Sequence, residues 1–154
     1  MKIEMTTPIA AIDAFLLKQA KIAQYETVKM FARLGEECVN EARDRPSEDS
    51  WNDVTGNLRS SVGYVVSVDG EPQLMSAFKQ VLNGTEGVRK GQKHATELAK
   101  HINKGYGLTV VAGMEYAAIV EARDDKCVLA SAELLGRKKL PDYIAKLEHK
   151  LNRK

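Results

Sequence analysis

Asp53-Val54-Thr55-Gly56-Asn57-Leu58-Arg59-Ser60-Ser61-Val62-Gly63-Tyr64 is the stretch whose reading decides the fold of this chain. Gly56 permits a turn at positive φ, Leu58 is the apolar residue that such a turn inserts into a core, and the chain leaves directly into a β-rich run. That run, Ser61 to Asp69, ends at the turn signal Asp69-Gly70 and is the first predicted strand. A second informative segment follows much later, Val110-Val111-Ala112-Gly113-Met114-Glu115-Tyr116-Ala117-Ala118-Ile119-Val120-Glu121. Gly107 to Gly113 reads as the second strand, with Leu108, Val110 and Ala112 on one side.

Outward from these segments the pattern is helical. Thr7-Pro8 is a helix start, the Thr side chain accepting an early amide and Pro8 taking the first helical position. Val28, Phe31, Gly35, Cys38 and Ala42 recur at three- and four-residue steps, which predicts an amphipathic helix packed on a core and ending before Pro46. A straight rod from Pro8 to Arg43 would span about 50 Å, against a radius of gyration of about 15 Å for a compact chain of this length. Either the helix breaks near Gln24-Tyr25, or residues 8–24, with Ile12, Phe15, Leu16 and Ile22, project and find their cover on another subunit; the second is the expectation. Arg45 to Ser50 reads as a loop. Leu74 to Leu82 has helical spacing, Asn83 to Gly87 stops it, and Lys93 to Asn103 resumes as a polar helix. Val128 to Leu151 reads as two consecutive helices broken by Gly136 and Pro141, and Asp125 to Leu129 would equally make a short third strand. The sum is an α+β fold, a small antiparallel sheet with helices on one face and a long N-terminal helix.

Size and composition narrow the function classes. The 154 residues suit one domain spanning 1–154. The 23 Lys+Arg against 21 Asp+Glu leave +2, too balanced to announce nucleic acid or an anionic membrane by field alone. Aromatic residues make up 6% of the chain, too few for a single-strand stacking platform. The N-terminal residues carry an early acid and no apolar run, so they do not read as a secretory signal, and no stretch is apolar enough to span a bilayer; the expectation is synthesis in the cytoplasm. Cys38 and Cys127 lie among apolar neighbours without metal-site spacing and read as buried free thiols.

The residues that invite chemistry each have a plainer reading. His94, Glu97 and His101 share a helix face at steps of three and four, but the two histidines stand about 10.5 Å apart along the axis, too far for one ion without help from elsewhere. A solvated face is the expectation, with a metal-dependent enzyme as a distant competitor. Asn83 to Lys93 is glycine-rich and basic, yet no glycine there is followed by Lys and then Ser or Thr, so it is not a nucleotide-hydrolase phosphate loop. It reads as a basic surface loop in which Arg89, Lys90 and Lys93 would offer contacts to a partner subunit or nonspecific contacts to DNA. Ser60 and Ser61 have no histidine near in sequence and no nucleophile elbow. Glu115 and Glu121 flank Tyr116 and read as surface charge. No catalytic residue, cofactor or metal is expected.

Thr55-Gly56-Asn57-Leu58-Arg59-Ser60-Ser61 is similar to the Thr-Gly-x-Leu-Arg-x-Ser signature of a bacteriophage tail-component family of the lambdoid siphophage type. Tyr116-Ala117-Ala118-Ile119-Val120-Glu121, preceded by Gly113, resembles that family's second segment, Tyr-Ala-x-x-Val-Glu. The order of a long N-terminal helix, first motif, helical insert, second motif and C-terminal helix also agrees. The chain departs after Glu121, where family members continue with Gly-Thr and a Pro-Phe-Leu-like segment and this one has Ala122-Arg123-Asp124-Asp125. The resemblance implies a non-enzymatic virion protein of the neck or tail, of the tail-completion or head-tail joining type. It would be assembled in the bacterial cytoplasm as one subunit of a ring that also touches other neck and tail proteins. Thr55, Gly56, Leu58, Arg59, Ser61, Gly113, Tyr116, Ala117 and Glu121 would then be structural motif residues, with Arg59, Tyr64, Tyr116 and Glu121 near the sheet ends. A basic-loop nucleic-acid-binding module is the alternative.

Overall fold

A computed structural model describes residues 7–45, 51–123 and 126–153. The expected loop from Arg45 to Ser50 lies largely outside them, and the alternative strand from Asp125 to Leu129 falls partly outside.

The first helix, α1 (Ile9–Arg43), runs unbroken for 35 residues and passes Gln24-Tyr25 without interruption. Its start differs from the expected one. Pro8 sits at the capping position, just before the helix, and no side chain caps the end, so Thr7 does not fill the role assigned to it. Residues 26–42 of α1 carry its buried positions, among them Met30, Leu34, Cys38, Val39 and Ala42.

A single turn, α2 (Asn57–Ser60), leads into β1 (Val62–Val68). Asp69 and Gly70 both take positive φ, 50° and 84°, the two-residue turn that matches strand twist. The turn does more than end a strand, because it folds the chain back as β2 (Glu71–Met75), where a helix from Leu74 was expected. Leu74, Ala77, Phe78, Val81 and Leu82 do stand at helical spacing, but Asp69-Gly70 drives Met75 back against Val65 and commits the segment to the sheet. Pro72 is tolerated on this outer strand beside an irregularity between Val66 and Ser67. With β3 (Tyr106–Ala112) the sheet is antiparallel in the order β2-β1-β3.

Helices cover both faces of the sheet, not one. Val62, Tyr64 and Val66 pack with Leu34, Cys38 and Val39 of α1. Val65 and Val111 pack on the opposite face with Phe78 and with Ala95 and Ala99 of α3 (Thr85–Ala99). The central strand is therefore buried almost throughout. A short α4 (Ala117–Glu121) precedes α5 (Ala130–Asn152), a single helix that continues through Gly136 and Pro141, where a break was expected. Pro141 forfeits one intrahelical bond, and packing on α1 offsets it: Lys139 Nζ lies 2.7 Å from Glu37, Tyr143 donates to Glu37 at 2.7 Å, and Lys150 reaches the buried Glu26 at 2.5 Å. These bonds from Lys139 and Tyr143 hold the Glu37 carboxyl below its ordinary range. Cys38 is buried, Cys127 half-buried, and no disulfide joins them. No helix among the described residues is long and apolar enough to cross a membrane.

Candidate functional site

The two quoted segments, distant in sequence, form one junction at the end of the sheet. Asp53 organises the first. Its carboxylate accepts the Gly56 N–H at 2.9 Å and the Arg59 N–H at 3.0 Å, while Thr55 Oγ1 accepts from the Asn57 N–H at 3.3 Å. Gly56 lies at φ +79°, and an added Cβ would meet the Val81 carbonyl carbon at 2.7 Å and its oxygen closer still. The turn so formed buries Leu58, 1% exposed, against Trp51, Met114, Ala117 and Val128. Arg59 donates to the Arg43 carbonyl at 2.7 Å, tying the motif to the end of α1, and its guanidinium lies 5.4 Å from the Trp51 ring centroid. Ser61 Oγ donates to the Leu58 carbonyl at 2.7 Å, and Ser60 Oγ accepts the Val81 N–H at 2.8 Å.

The second segment closes on the first. Gly113 donates its N–H to the Ser61 carbonyl at 3.2 Å. Tyr116 shares a side-chain hydrogen bond with Thr55, and burial, with the Asp53 charge behind it, pushes its hydroxyl pKa up. Tyr64, inside the sheet, donates to Glu36 at 3.1 Å, and burial raises its pKa far more. Glu121 was expected to be surface charge. Its Oε1 instead accepts the Leu129 N–H at 3.0 Å and the Ala130 N–H at 2.7 Å, so it caps the start of α5. Glu121→Ala is expected to destabilise the fold by about 1–2 kcal/mol, and Glu121→Gln, which keeps an acceptor, by less. The shift in urea midpoint measures both.

The glycine-rich segment is not a loop. Residues 85–93 form the first half of α3, and Gly84, Gly87 and Gly91 make a stripe that faces the motif. A Cβ on Gly87 would stand 2.8 Å from the Asn57 carbonyl carbon and nearer its oxygen; one on Gly91 would stand 2.6 Å from the Ser61 oxygen; one on Gly113 would meet Gly91 Cα at 2.5 Å. Backbone thus packs on backbone, and Asn57 Oδ1 accepts the Gly87 N–H at 3.0 Å. Asn57 and the three glycines were missed as site residues. The signal was present, since positions 84, 87 and 91 recur at helical steps.

A groove of about 490 Å³ separates this half of α3 from the segment after β3. Arg89, Lys90 and Lys93 line one wall and Glu115 the other. Lys90 bridges Glu115 at 3.0 Å and Glu86 at 3.1 Å, and these bonds raise its pKa and lower that of Glu115. Lys93 lies 3.9 Å from Glu97. Two of the three basic residues thus sit beside carboxylates. His94 and Glu97 are exposed on α3, whereas His101 lies beyond the helix end; among the described residues no group of three or more His, Cys, Asp or Glu is placed to hold a metal.

The arrangement is one of mutual support. The side chains of Asp53, Thr55, Asn57, Arg59, Ser60 and Ser61 are engaged with backbone groups of the same chain. Large apolar side chains stand uncovered at the start of α1, where Ile9, Phe15, Leu16 and Leu17 are each more than half exposed, and so do Val54 and Ile119 of the two segments and Leu134 of α5. The chain matches no family model, no curated protein and no solved structure at a significant level.

Proposed function

We propose that this chain is a structural subunit of a phage or prophage virion, acting at the neck or tail end in tail completion or head-tail joining by assembling into a ring. The observation that carries this reading is the uncovered N-terminal part of α1. A helix of 35 residues whose first half presents Ile9, Ile12, Phe15, Leu16 and Leu17 to solvent is an assembly element awaiting a surface. The two motif segments that resemble the tail-component family support it from the other side, because their polar groups are spent on shaping one junction and leave a scaffold, with no enzymatic role for them. Neighbouring neck and tail proteins would be its other partners, and the virion its destination. Direct DNA binding through Arg89, Lys90 and Lys93 is the weaker reading, since Lys90 and Lys93 already sit beside carboxylates.

Interrupting the gene in the phage or prophage that carries it tests the assignment. Electron microscopy of the lysate is expected to show filled heads and tails that fail to join, or tails with abnormal ends, with infectivity restored by a plasmid copy. Normal numbers of infectious particles without the protein would sink it.

A further inference from the structure

An exposed apolar arm and an open apolar groove lie too far apart along one continuous helix of this chain to cover each other. The first is the arm. Ile9, Ile12 and Leu16 recur at three- and four-residue steps in phase with Met30 and Leu34, which are buried further along α1, so the arm extends the core-facing stripe beyond the core. The second is a groove of about 460 Å³ bounded by α1, by β3 at the outer edge of the sheet, and by α5, with the half-buried Phe31, Leu108, Val110 and Leu140 in its lining above the buried Leu34 and Cys38. Leu16 and Leu34 stand about 27 Å apart along the axis, and α1 does not bend back. Only another copy brings an arm to a groove.

Resting on the assembly reading above, we propose that the arm of one copy docks in this groove of the next. Dimensions agree: Ile9 to Leu17 covers about 12 Å and the flank from Leu129 to Leu140 about 17 Å. Charge adds to the fit. Asp13 flanks the stripe of Ile9, Ile12 and Leu16, one turn on from Ile9, and Arg137 stands at the groove's rim, so the docked arm sets an acid beside a base. Glu133 and Arg137 pair with each other at 2.8 Å but are both well exposed, so exchanging that contact for an intersubunit one costs little. Each subunit then gives one arm and receives one, a heterologous contact that closes into a ring when its rotation permits.

Full-length protein carrying the photocrosslinker benzoylphenylalanine at Phe15 tests this over a concentration series. The expected products are intersubunit crosslinks joining the arm to peptides spanning Leu108 to Val110 or Leu129 to Leu140. The double change Ile12→Glu with Leu16→Glu should cut their yield about tenfold or more, because it places charges in an apolar groove. The unfolding midpoint should stay unchanged, both side chains being exposed in the lone subunit. Asp13→Arg should lower the yield and the further change Arg137→Asp should restore it. Crosslinks joining arm to arm, or no intersubunit product at any concentration, would overturn the docking. The gene-interruption experiment is independent: defective particles without arm-to-groove crosslinks dismiss the docking alone, and arm-to-groove crosslinks in a chain whose loss leaves infectious particles dismiss the virion role alone.

Discussion

Gly87→Ala is expected to destabilise the protein by about 2–4 kcal/mol, against the usual sign of the change. In an unconstrained helix the substitution would be favourable, since glycine costs about 1 kcal/mol relative to alanine there and also leaves the unfolded chain more freedom. In α3 the new methyl would press on the Asn57 backbone, 2.8 Å from its carbonyl carbon and closer to its oxygen. Backbone cannot rotate aside as a side chain can. Moving α3 away would also break the Gly87 N–H bond to Asn57 Oδ1 and loosen the contact between Gly91 and Gly113. Gly136→Ala is the control, because its nearest neighbour is the Cys38 Sγ at 3.2 Å. That change should fall within about 0.5 kcal/mol of zero. Urea denaturation of the two variants beside the parent decides the matter; equal midpoints for Gly87→Ala and the parent would mean that α3 does not rest on the motif as described.

Asp53→Ala carries the next largest expected loss, about 2–3 kcal/mol. One carboxylate holds two backbone N–H groups, those of Gly56 and Arg59, and both are partly buried. Removing it leaves both donors without their acceptor and frees the turn that delivers Leu58 to the core. Asp53→Asn keeps one carbonyl oxygen and turns an amide N–H toward the other donor, so its loss should be roughly half as large. The same ordering is expected in thermal scans. If Asp53→Ala proved as stable as the parent, the left-handed Gly56 and the burial of Leu58 would suffice to set the turn.

The successes and failures of sequence reading divide by cause. The strand from Val62 to Val68 and the strand from Tyr106 to Ala112 were legible because β-branched runs and flanking turn residues act within a few positions. Continuity of α1 was legible as one of two outcomes, since no Gly or Pro interrupts it before Gly35. The hairpin to Glu71–Met75 was hidden, because the outer strand faces solvent and its only apolar residues, Leu74 and Met75, also fit the helical spacing that continues to Leu82. The single course of α5 was hidden by Pro141, whose local cost is met by Glu37 and Glu26 on another helix. Glu121 read as surface charge because its partners, the first amides of α5, come close only after the chain has turned.

From the sequence by itself came the features with local causes: the turn at Gly56, the strand that follows it, the turn signal at Asp69-Gly70, and a long first helix whose apolar stripe outruns any compact body. Tertiary structure alone decided that the glycine-rich stretch is helical, that helices lie on both sides of the sheet, and that the two motifs share one junction. The physical reason is a compensation between distant segments. Gly84, Gly87 and Gly91 weaken a helix when counted locally, and they become its means of support only when the Asn57 and Ser61 backbone lies against them.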